Sequence, residues 1–394
     1  MRILMLAPLP FFQPRGAPFQ VYHRARVLGE MGHHVDLVTY HVGEDINLPN
    51  VQLHRAWPVP GVRSVKVGPS LAKFPLDTLL FLKGFSLLLR HRYDCVHTHL
   101  EAGFFGATIG RLFRLPHVYD MHDDLAETLA SSNFTHNKLL IGMMRGVVRT
   151  TLRSAKSIII VYPELQNTVD TLAPGKPTML IHNTAVTAGE DEGTPEERAA
   201  LLADLRRDLD LPPNGPVLLY TGTFEPYQGL DALVDSMPTV LDAYPDAIYV
   251  LVGGLPEQIE AIRERARELG VEHALRLPGR RPHQHMPAYM ALADILLSPR
   301  SEGTNTPLKL FTYLDAGKPI LATNIYSNTQ ILTPDVALLV NYAADELAQG
   351  ALTLLADAPR RERLARNARE LSAQRFDPEI FATRTAQAYS VLTV

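Results

Sequence analysis

The chain has 394 residues, of which 46% are hydrophobic and 20% charged. This is more residues than one hydrophobic core typically serves, so the length predicts two domains. A single cysteine, Cys95, excludes an internal disulfide and a thiolate metal cluster and fits a reducing compartment. The net charge is −4 at pH 7, although residues 1–185 carry an excess of basic residues. These basic residues are too dispersed for a nucleic-acid-binding domain, so we expect no nucleic-acid partner.

The first half of the chain alternates strand-like and helical segments. Residues 3–7 form an apolar strand with no long h-region and no cleavage site, so we expect no secretory signal and a cytoplasmic protein. A helix over 19–31 stops at Gly32, and a second strand follows over 35–39. Short strands then recur as far as His182, which predicts a parallel sheet covered by helices on both faces.

Residues 70–92 are apolar but are interrupted by charges and end in Arg90, His91 and Arg92. Charges are costly inside a bilayer, so this segment is not expected to span a membrane. A packed helix of the first domain is the favoured interpretation. A helix lying on anionic lipid is the alternative, and it makes a peripheral membrane contact through 70–92 part of the hypothesis.

Two loops of the first half follow strands, where ligands bind in doubly wound sheets. Residues 8–18 contain one glycine and four prolines, which is no dinucleotide-binding fingerprint, and they deliver Arg15 and Gly16 to the sheet edge. His122 follows the strand at 117–119 and can donate a hydrogen bond or accept a proton. A metal site among its three neighbouring aspartates is a weak alternative, and His97 and His99 are expected to be structural.

The second half restarts after a polar, Pro/Gly-punctuated stretch near 188–215, where we place the interdomain connection. Strands and helices alternate again from residue 217. Gly222 ends the first strand and is a candidate for close backbone approach to a phosphate. Gly253 ends the next strand, where a base or ribose could lie close, although glycines after strands are common.

The most informative stretch is 301–323, in which a Gly/Thr/Asn loop precedes an amphipathic helix and an apolar strand. We expect Thr306 or Asn305 to cap this helix, with Pro307 in its first turn. The free N–H groups and the positive end of the helix dipole then suit a diphosphate. Glu302 beside them suits neutral hydroxyls, and an anion next to a polyol is what a sugar nucleotide presents. An ordinary loop–helix–strand unit is the alternative.

Together these segments resemble the GT-B glycosyltransferases of family 4, which are retaining enzymes. The resemblance spans nearly the whole chain and rests on five segments, none specific alone: the Gly16 loop with residues 28–35, YDCVHTH at 93–99, His122, the run 277–303, and the helix at 376–392.

The resemblance implies an α/β protein of GT-B architecture, with two Rossmann-like, doubly wound parallel-sheet domains facing a central cleft. Residues 1–187 would form the acceptor-side domain, 188–375 the donor domain, and 376–394 a helix crossing back to the first domain. The donor would be a UDP-, GDP- or ADP-sugar and no metal ion is expected, because positive side chains and a helix N-terminus offset the diphosphate charge.

The family's functional residues carry over to named positions. His122 and Glu302 are the candidate catalytic residues: His122 matches the donor-site histidine, and Glu302 matches the first Glu of the E-x7-E motif, near the sugar hydroxyls. The remaining donor-binding candidates are positions that would line the nucleotide and its diphosphate: Gly16, Gly222, Thr223, Gln228, Gly253, Gly303, Thr304, Asn305, Thr306, Lys309 and Thr312.

Three departures from the family pattern stand out. The second Glu of the motif falls on Thr312, with two additional residues in between, and Asp315 is a candidate to assist it at the ribose. The usual Arg and Lys of the diphosphate site fall on Thr223 and Gln228. Lys309 is the candidate replacement; the arginines at 280, 281 and 300 are further candidates, with the first two favoured as surface residues.

The resulting hypothesis is a retaining, metal-independent transfer of a hexosyl unit from a nucleotide sugar to a hydroxyl acceptor. That acceptor is a glycan, a lipid-linked molecule at the inner face of the membrane, or a small molecule. The alternative is a degenerate GT-B module that binds a ligand or partner without turnover, motivated by the missing charges. A phosphorylase is disfavoured, because no lysine is marked for pyridoxal phosphate.

Overall fold

The computed structural model describes residues 1–12, 16–63, 65, 73–131, 137–185, 194–303 and 305–392. The chain forms two compact units, each with its own parallel sheet. Unit 1 comprises residues 1–183 and 379–394, and unit 2 comprises 184–378. The predicted fold class, α/β with two Rossmann-like parallel-sheet domains, is confirmed.

Unit 1 contains seven strands and the helices that connect them. The strands are β1 (Arg2–Ala7), β2 (His34–Thr39), β3 (Val51–Arg55), β4 (Cys95–His99), β5 (His117–Met121), β6 (Ser157–Ile160) and β7 (Thr178–Leu180). The connecting helices are α1 (Gly16–Glu30), α2 (Lys73–Leu88), α3 (Gly103–Phe113), α4 (Leu125–Ser131), α5 (Lys138–Ser154) and α6 (Leu165–Leu172). The strand order is β3-β2-β1-β4-β5-β6-β7 and all pairs are parallel.

Unit 2 repeats this plan with six parallel strands. They are β8 (Val217–Gly222), β9 (Ile248–Gly253), β10 (Leu275–Gly279), β11 (Ile295–Ser298), β12 (Ile320–Thr323) and β13 (Leu338–Val340). The helices are α7 (Pro195–Asp208), α8 (Leu230–Ala243), α9 (Pro256–Glu268), α10 (Met286–Leu292), α11 (Lys309–Ala316), α12 (Tyr326–Thr329), α13 (Ala344–Ala356) and α14 (Ala358–Arg375). The order is β10-β9-β8-β11-β12-β13.

The central strands of both sheets are buried because both of their faces are covered. Every residue of β4, β5 and β11 is buried. In unit 2, separate apolar clusters cover the two faces of the sheet: Leu219 belongs to one cluster, and its neighbour Leu218 belongs to the other. This pattern is expected of parallel strands inside a doubly wound sheet.

The last helix, α15 (Pro378–Ser390), packs in unit 1 although it follows unit 2 in the chain. Its Thr385 hydroxyl accepts a hydrogen bond from Arg24 of α1, and its Tyr389 hydroxyl lies 2.5 Å from His97 Nδ1 of β4. Within the described part of the chain, no helix has the length and apolar character required to cross a bilayer.

The strand order places the candidate residues. In each sheet the chain turns from one half to the other between two central strands, β1 and β4 in unit 1, and β8 and β11 in unit 2. The loops at the carboxyl ends of such strands diverge, and they leave a crevice where ligands bind in doubly wound folds.

Candidate active site

A lysine without a carboxylate partner marks the carboxyl edge of the unit 2 sheet. Lys309, the first residue of α11, donates from Nζ to Gln228 Oε1 at 3.0 Å. The same ammonium lies 3.8 Å from the centroid of the Tyr220 ring, and no described carboxylate lies within ion-pair distance. Burial, and then the positive charge of Arg300, hold the pKa of Lys309 well below its ordinary value. Without a counter-ion the charged form of Lys309 is therefore disfavoured, and an anion bound at this position would stabilise it.

Arg300 shapes the loop that precedes α11. Its Nε donates to the backbone carbonyl of Glu302 at 2.7 Å, and its Nη1 donates to that of Asn305 at 2.9 Å. Gly303 has a φ of +118° and a Cβ there would lie 2.3 Å from the guanidinium, so the loop requires glycine at this point. The guanidinium thus holds the loop backbone while adding a second positive charge near Lys309.

Two strand-ending glycines allow backbones to approach closely beside Lys309. Gly222 and Gly253 are register partners at the ends of β8 and β9, and both have positive φ. A Cβ at Gly253 would lie 1.8 Å from the carbonyl oxygen of Gly222, and one at Gly222 would lie 3.6 Å from Lys309 Nζ. Gly222 is exposed, so its backbone is open to a ligand at this edge. Thr223 follows, with its carbonyl accepting from the Tyr220 hydroxyl at 2.6 Å.

The start of α11 differs from the prediction. Its N-cap is Leu308, which makes no side-chain capping bond, so the expected cap by Thr306 or Asn305 is wrong. The Thr306 hydroxyl instead donates to Gln330 Oε1 at 2.5 Å. Pro307 lies in the turn before the helix, where its carbonyl accepts from the Leu310 amide at 3.0 Å. Without a side-chain cap, the helix N-terminus remains open to an anion.

The two positions of the E-x7-E motif differ in their surroundings. Glu302 is exposed, and its carboxylate makes no hydrogen bond or ion pair with a described residue. Thr312 is buried within α11. Asp315 is exposed and accepts a 3.3 Å hydrogen bond from Ser372 of α14. Arg280 and Arg281 are both exposed, as predicted for surface residues.

In unit 1, His122 belongs to a buried cluster around Asp120 at the ends of β4 and β5. His122 Nε2 lies 2.9 Å from His99 Nδ1 and 3.5 Å from Asp120 Oδ1. Arg24 of α1 donates from Nε to Asp120 Oδ2 at 3.0 Å. His97 and His99 each have a ring nitrogen 3.7 Å from the same Oδ2. The expected structural role of these two histidines therefore has a concrete form: they pack around a buried ion pair.

Burial disfavours the charged form of the histidines in this cluster. Burial lowers the pKa of His122 to about 4, and it lowers the pKa of His99 well below its ordinary value. Burial opposes ionisation of Asp120, but Arg24 and the neighbouring imidazoles hold the pKa of that carboxyl well below its usual range. His122 Nδ1 is buried and makes no hydrogen bond with a described residue.

His97, His99 and Asp120 have potential ligand atoms within 4.8 Å of one another. A metal ion bound to Asp120 and these histidines would lie close to the Arg24 guanidinium, whose Nε is 3.0 Å from Asp120 Oδ2. A second cation at that distance inside a buried site is electrostatically unfavourable, so the residues present favour the ion pair over a metal site.

Several candidates lie at or beyond the limits of the described residues. Gly16 is exposed at the first position of α1, with open space around its Cα. Arg15 and Thr304 lie outside the described residues. Sequence reasoning missed Arg24 and Asp120 as a pair. The available signal was the basic run His23, Arg24 and Arg26 within a helix that packs on the sheet, because a buried arginine requires a partner.

The family comparison agrees with this geometry. The family model described as "Glycosyl transferases group 1" matches residues 203–371. The model described as "Glycosyl transferase 4-like domain" matches residues 15–184. The two matches are adjacent and together account for most of the chain.

Two curated relatives match along their whole length. A D-inositol 3-phosphate glycosyltransferase of Corynebacterium aurimucosum is 26% identical over 99% of this chain and 96% of its own length. A phosphatidyl-myo-inositol mannosyltransferase of Mycobacterium leprae is also 26% identical, over 100% of this chain and 97% of its own.

Solved structures share the fold. Sucrose-phosphate synthase from Thermosynechococcus elongatus has a TM-score of 0.78 at 19% identity, covering 100% of this chain and 99% of its own. HepE of Anabaena, in complex with UDP-glucose, has a TM-score of 0.73 at 19% identity, covering 99% of each chain. The matched families, the two whole-length relatives and the paired Rossmann-like sheets lead to one conclusion: the chain belongs to the GT-B glycosyltransferases of family 4 and is a hexosyltransferase.

Proposed function

We propose that this transferase moves a hexosyl unit from a nucleoside-diphosphate sugar to a hydroxyl acceptor, with retention and without a metal ion. The observation that carries the proposal is Lys309, whose ammonium lies at the end of the Gln228 side chain with no carboxylate partner in the described structure. Gln228 stands where the family's usual lysine would be. Lys309 thus brings a positive charge to the diphosphate position from a different element.

In this proposal the donor lies along the carboxyl edge of the unit 2 sheet. Its diphosphate contacts Lys309, the Gly222 backbone with Thr223, and the loop amides from Gly303 through Thr304 and Asn305 to Thr306. Gly253 leaves space for the base or ribose, and Thr312 supplies one hydroxyl to the ribose in place of a carboxylate. Glu302 accepts from the sugar hydroxyls. Gly16 and His122, in unit 1, remain candidate donor residues on the family resemblance.

The chemical step follows from the residues that are present. The bond between the anomeric carbon and the diphosphate oxygen breaks, and the acceptor oxygen bonds to the same face of the sugar. Because no carboxylate is assigned as a nucleophile, we propose this same-face attack in place of a double displacement, and the acceptor proton passes to the departing diphosphate oxygen. Lys309 and the loop amides stabilise the charge that develops on the leaving group. These groups replace the metal ion that other transferases use for this purpose.

The acceptor is proposed from the curated relatives and from surface composition. The relatives are named for inositol phosphate and phosphatidyl-inositol, so polyol phosphates, free or lipid-linked, are the acceptors to test first. A lipid-linked acceptor requires access to the inner face of the membrane, and we propose a peripheral contact through residues 70–92, of which α2 is described. The non-catalytic alternative is not favoured, because the whole-length relatives are named as transferases.

The test is binding of UDP, GDP and ADP by calorimetry, followed by slow hydrolysis of the matching nucleotide sugar. We expect one nucleotide to bind with and without chelator, and Glu302→Ala to abolish hydrolysis while nucleotide affinity persists. Arg281→Ala is the matched surface control. No binding of any of the three nucleotides would overturn the proposal, and activity that disappears with chelator would overturn its metal-independent form.

A further inference from the structure

Large apolar side chains are exposed mainly in unit 1. Of the eleven described large hydrophobic residues with high exposure, nine belong to this unit and two to unit 2. Eight of the nine lie on three helices or directly beside them: Phe74, Leu82 and Leu89 at α2, Phe104 and Leu112 on α3, and Leu139, Leu140 and Met143 on α5. Such a concentration is unusual on a surface that faces only water.

These helices are neighbours in one layer. They connect consecutive strands from β3 to β6 by crossovers of one hand, which places them on the same face of the sheet. Phe81 of α2 and Phe105 of α3 have ring centroids 4.8 Å apart. A groove of about 540 Å³ lies along α3 and reaches Thr150 of α5; it is lined mainly by Phe104 and Leu112 with Arg111. The outward faces of the three helices therefore form one surface, which we call the α2–α3–α5 face.

The α3 and α5 parts of this face are positively charged, whereas Lys73, at the start of α2, is paired with Glu101 at 3.1 Å. The α5 helix carries four basic residues and no acidic residue, and the stretch from 102 to 119 likewise lacks acidic residues. The exposed cations Arg111, Lys138, Arg145 and Arg149 make no ion pair with any described residue. Asp77, the single carboxylate on α2, is bonded to the Tyr40 hydroxyl at 2.5 Å and is therefore directed inward.

The start of α5 exposes three apolar side chains close together. Leu139 is 74% exposed and Met143 is 62% exposed, one helical turn apart on the same stripe, with Leu140 beside them. Basic residues lie on either side of this apolar group, Lys138 before it and Arg145 after it. Apolar residues surrounded by cations fit the interface of an anionic bilayer. The apolar side chains contact the acyl chains there, and the cations contact the lipid phosphates. A second copy of the chain would instead bring the same positive charges against these.

We propose that the α2–α3–α5 face docks on an anionic lipid bilayer, with Leu139, Leu140 and Met143 inserted among the acyl chains. This inference extends the membrane contact proposed above for 70–92 and transfers its main anchor to α5. It deepens the proposed access to a lipid-linked acceptor, but docking itself requires neither donor nor catalysis.

The experiment is flotation of the full-length protein with vesicles of phosphatidylcholine alone, or of phosphatidylcholine mixed with phosphatidylglycerol. We expect the protein to float with the anionic vesicles and to be released as ionic strength rises. The triple variant Leu139→Ser, Leu140→Ser, Met143→Ser should partition at least about tenfold more weakly, because three apolar side chains no longer enter the bilayer. Arg145→Gln with Arg149→Gln should weaken partition by about tenfold.

Matched control variants distinguish docking through α5 from docking through α2 and from self-association of the chain. Tyr326→Ser, at an exposed aromatic residue of unit 2, should float as the wild type does. Leu82→Ser on α2 should weaken vesicle binding less than the α5 triple variant does. A larger loss of binding for Leu82→Ser would show that residues 70–92 make the main membrane contact, and it would overturn this inference. Equal flotation of wild type and both α5 variants would also overturn it, as would a dimer in solution that the triple substitution dissociates. Soluble donor hydrolysis, measured in every variant, tests the proposed function separately and should not change.

Discussion

At the scale of single residues, the donor site illustrates how a charge can be supplied from another element. The family's usual Arg and Lys are replaced by Thr223 and Gln228, yet the Lys309 ammonium lies 3.0 Å from the Gln228 side-chain oxygen. The ends of both side chains thus reach the same point, one from the β8–α8 loop and the other from α11. The position of the positive charge, rather than the residue that supplies it, is what the diphosphate requires.

This argument predicts the outcome of a charge exchange. Lys309→Ala should weaken nucleoside-diphosphate binding roughly 10- to 100-fold, because a hydrogen bond to a charged group is worth about 1.5–3 kcal/mol. Adding Gln228→Lys should restore most of the affinity, measured by calorimetry with the nucleotide that binds the wild type. Arg281→Ala serves as the control for loss of a surface charge. A double variant as weak as the single one would show that the ammonium must come from α11.

A second residue-scale prediction concerns pH. Burial and the neighbouring Glu101 carboxylate raise the pKa of Asp77 to about 7, against the hydrogen bond from Tyr40 and the charge of Lys73. The folded protein then holds this proton while the unfolded chain releases it near pH 4, so the stabilising effect is fully present below about pH 4 and is lost as pH rises to about 7. The loss is at most about 4 kcal/mol and less for a side chain that is partly exposed.

Asp77→Asn should therefore remove part of this pH dependence. The Asn oxygen still accepts from Tyr40, and no proton is released in either state. We expect the variant to gain stability over the wild type above neutral pH and to lose that advantage in mild acid, as measured by thermal unfolding across the range. Asp315→Asn, at an exposed carboxylate, is the control. Parallel curves for Asp77→Asn and the wild type would contradict the shifted titration.

At the scale of elements, the local sequence pattern was sufficient to predict strands whose residues are almost all buried. Strands β1 and β2, predicted over 3–7 and 35–39, each begin one residue earlier than predicted and end at the predicted residue. The edge strands β3 and β13 are only partly buried, so their alternation is weak and neither was predicted. The α11 cap was predicted wrongly because the Thr306 hydroxyl found a partner 24 residues away, which no local pattern shows.

The same limit applies to the sites. Glycines and Glu302 of the donor loop could be proposed from the sequence, because their spacing after strands is local. The Arg24–Asp120 pair joins residues 96 apart, and only the fold brings them together. The contact between Lys309 and Gln228 spans 81 residues, yet the sequence indicated it indirectly, through the absence of a cation at the usual positions.

The α15 helix yields an element-scale prediction. Its Tyr389 hydroxyl is a partner of His97 Nδ1 inside unit 1, where both side chains are buried. Tyr389→Phe keeps the ring and leaves that nitrogen unsatisfied, so it should cost about 1–3 kcal/mol of unfolding free energy, measured in urea. Tyr326→Phe, at an exposed position, should cost far less. Equal stability of the two variants would show that α15 is not held through this contact.

At the scale of the whole molecule, the two units differ in how the chain builds them. Unit 1 needs both ends of the chain, since α15 returns to it, whereas unit 2 is one continuous segment from Thr184 to Pro378. Unit 2 also has apolar clusters on both faces of its own sheet. Apart from Gly16 and His122, every candidate donor residue lies within this segment.

This organisation predicts that residues 184–378 fold alone and bind the nucleotide. A continuous segment with a two-sided core meets the requirements of an independent domain. Its affinity for the nucleoside diphosphate should stay within a factor of about three of the full chain, a difference below about 1 kcal/mol. Calorimetry on the fragment would measure this, with circular dichroism to establish cooperative unfolding.

The fragment with Lys309→Ala supplies the matched control. It should fold equally well and lose the same factor of affinity as the full-length variant, since Lys309, Gln228 and Tyr220 all lie in unit 2. A folded fragment that binds no nucleotide would show that diphosphate binding requires residues of unit 1. It would contradict the proposal that Lys309 supplies the positive charge missing at Gln228. Retained binding without hydrolysis of the nucleotide sugar would instead show that unit 2 is sufficient for diphosphate recognition and that hydrolysis requires unit 1.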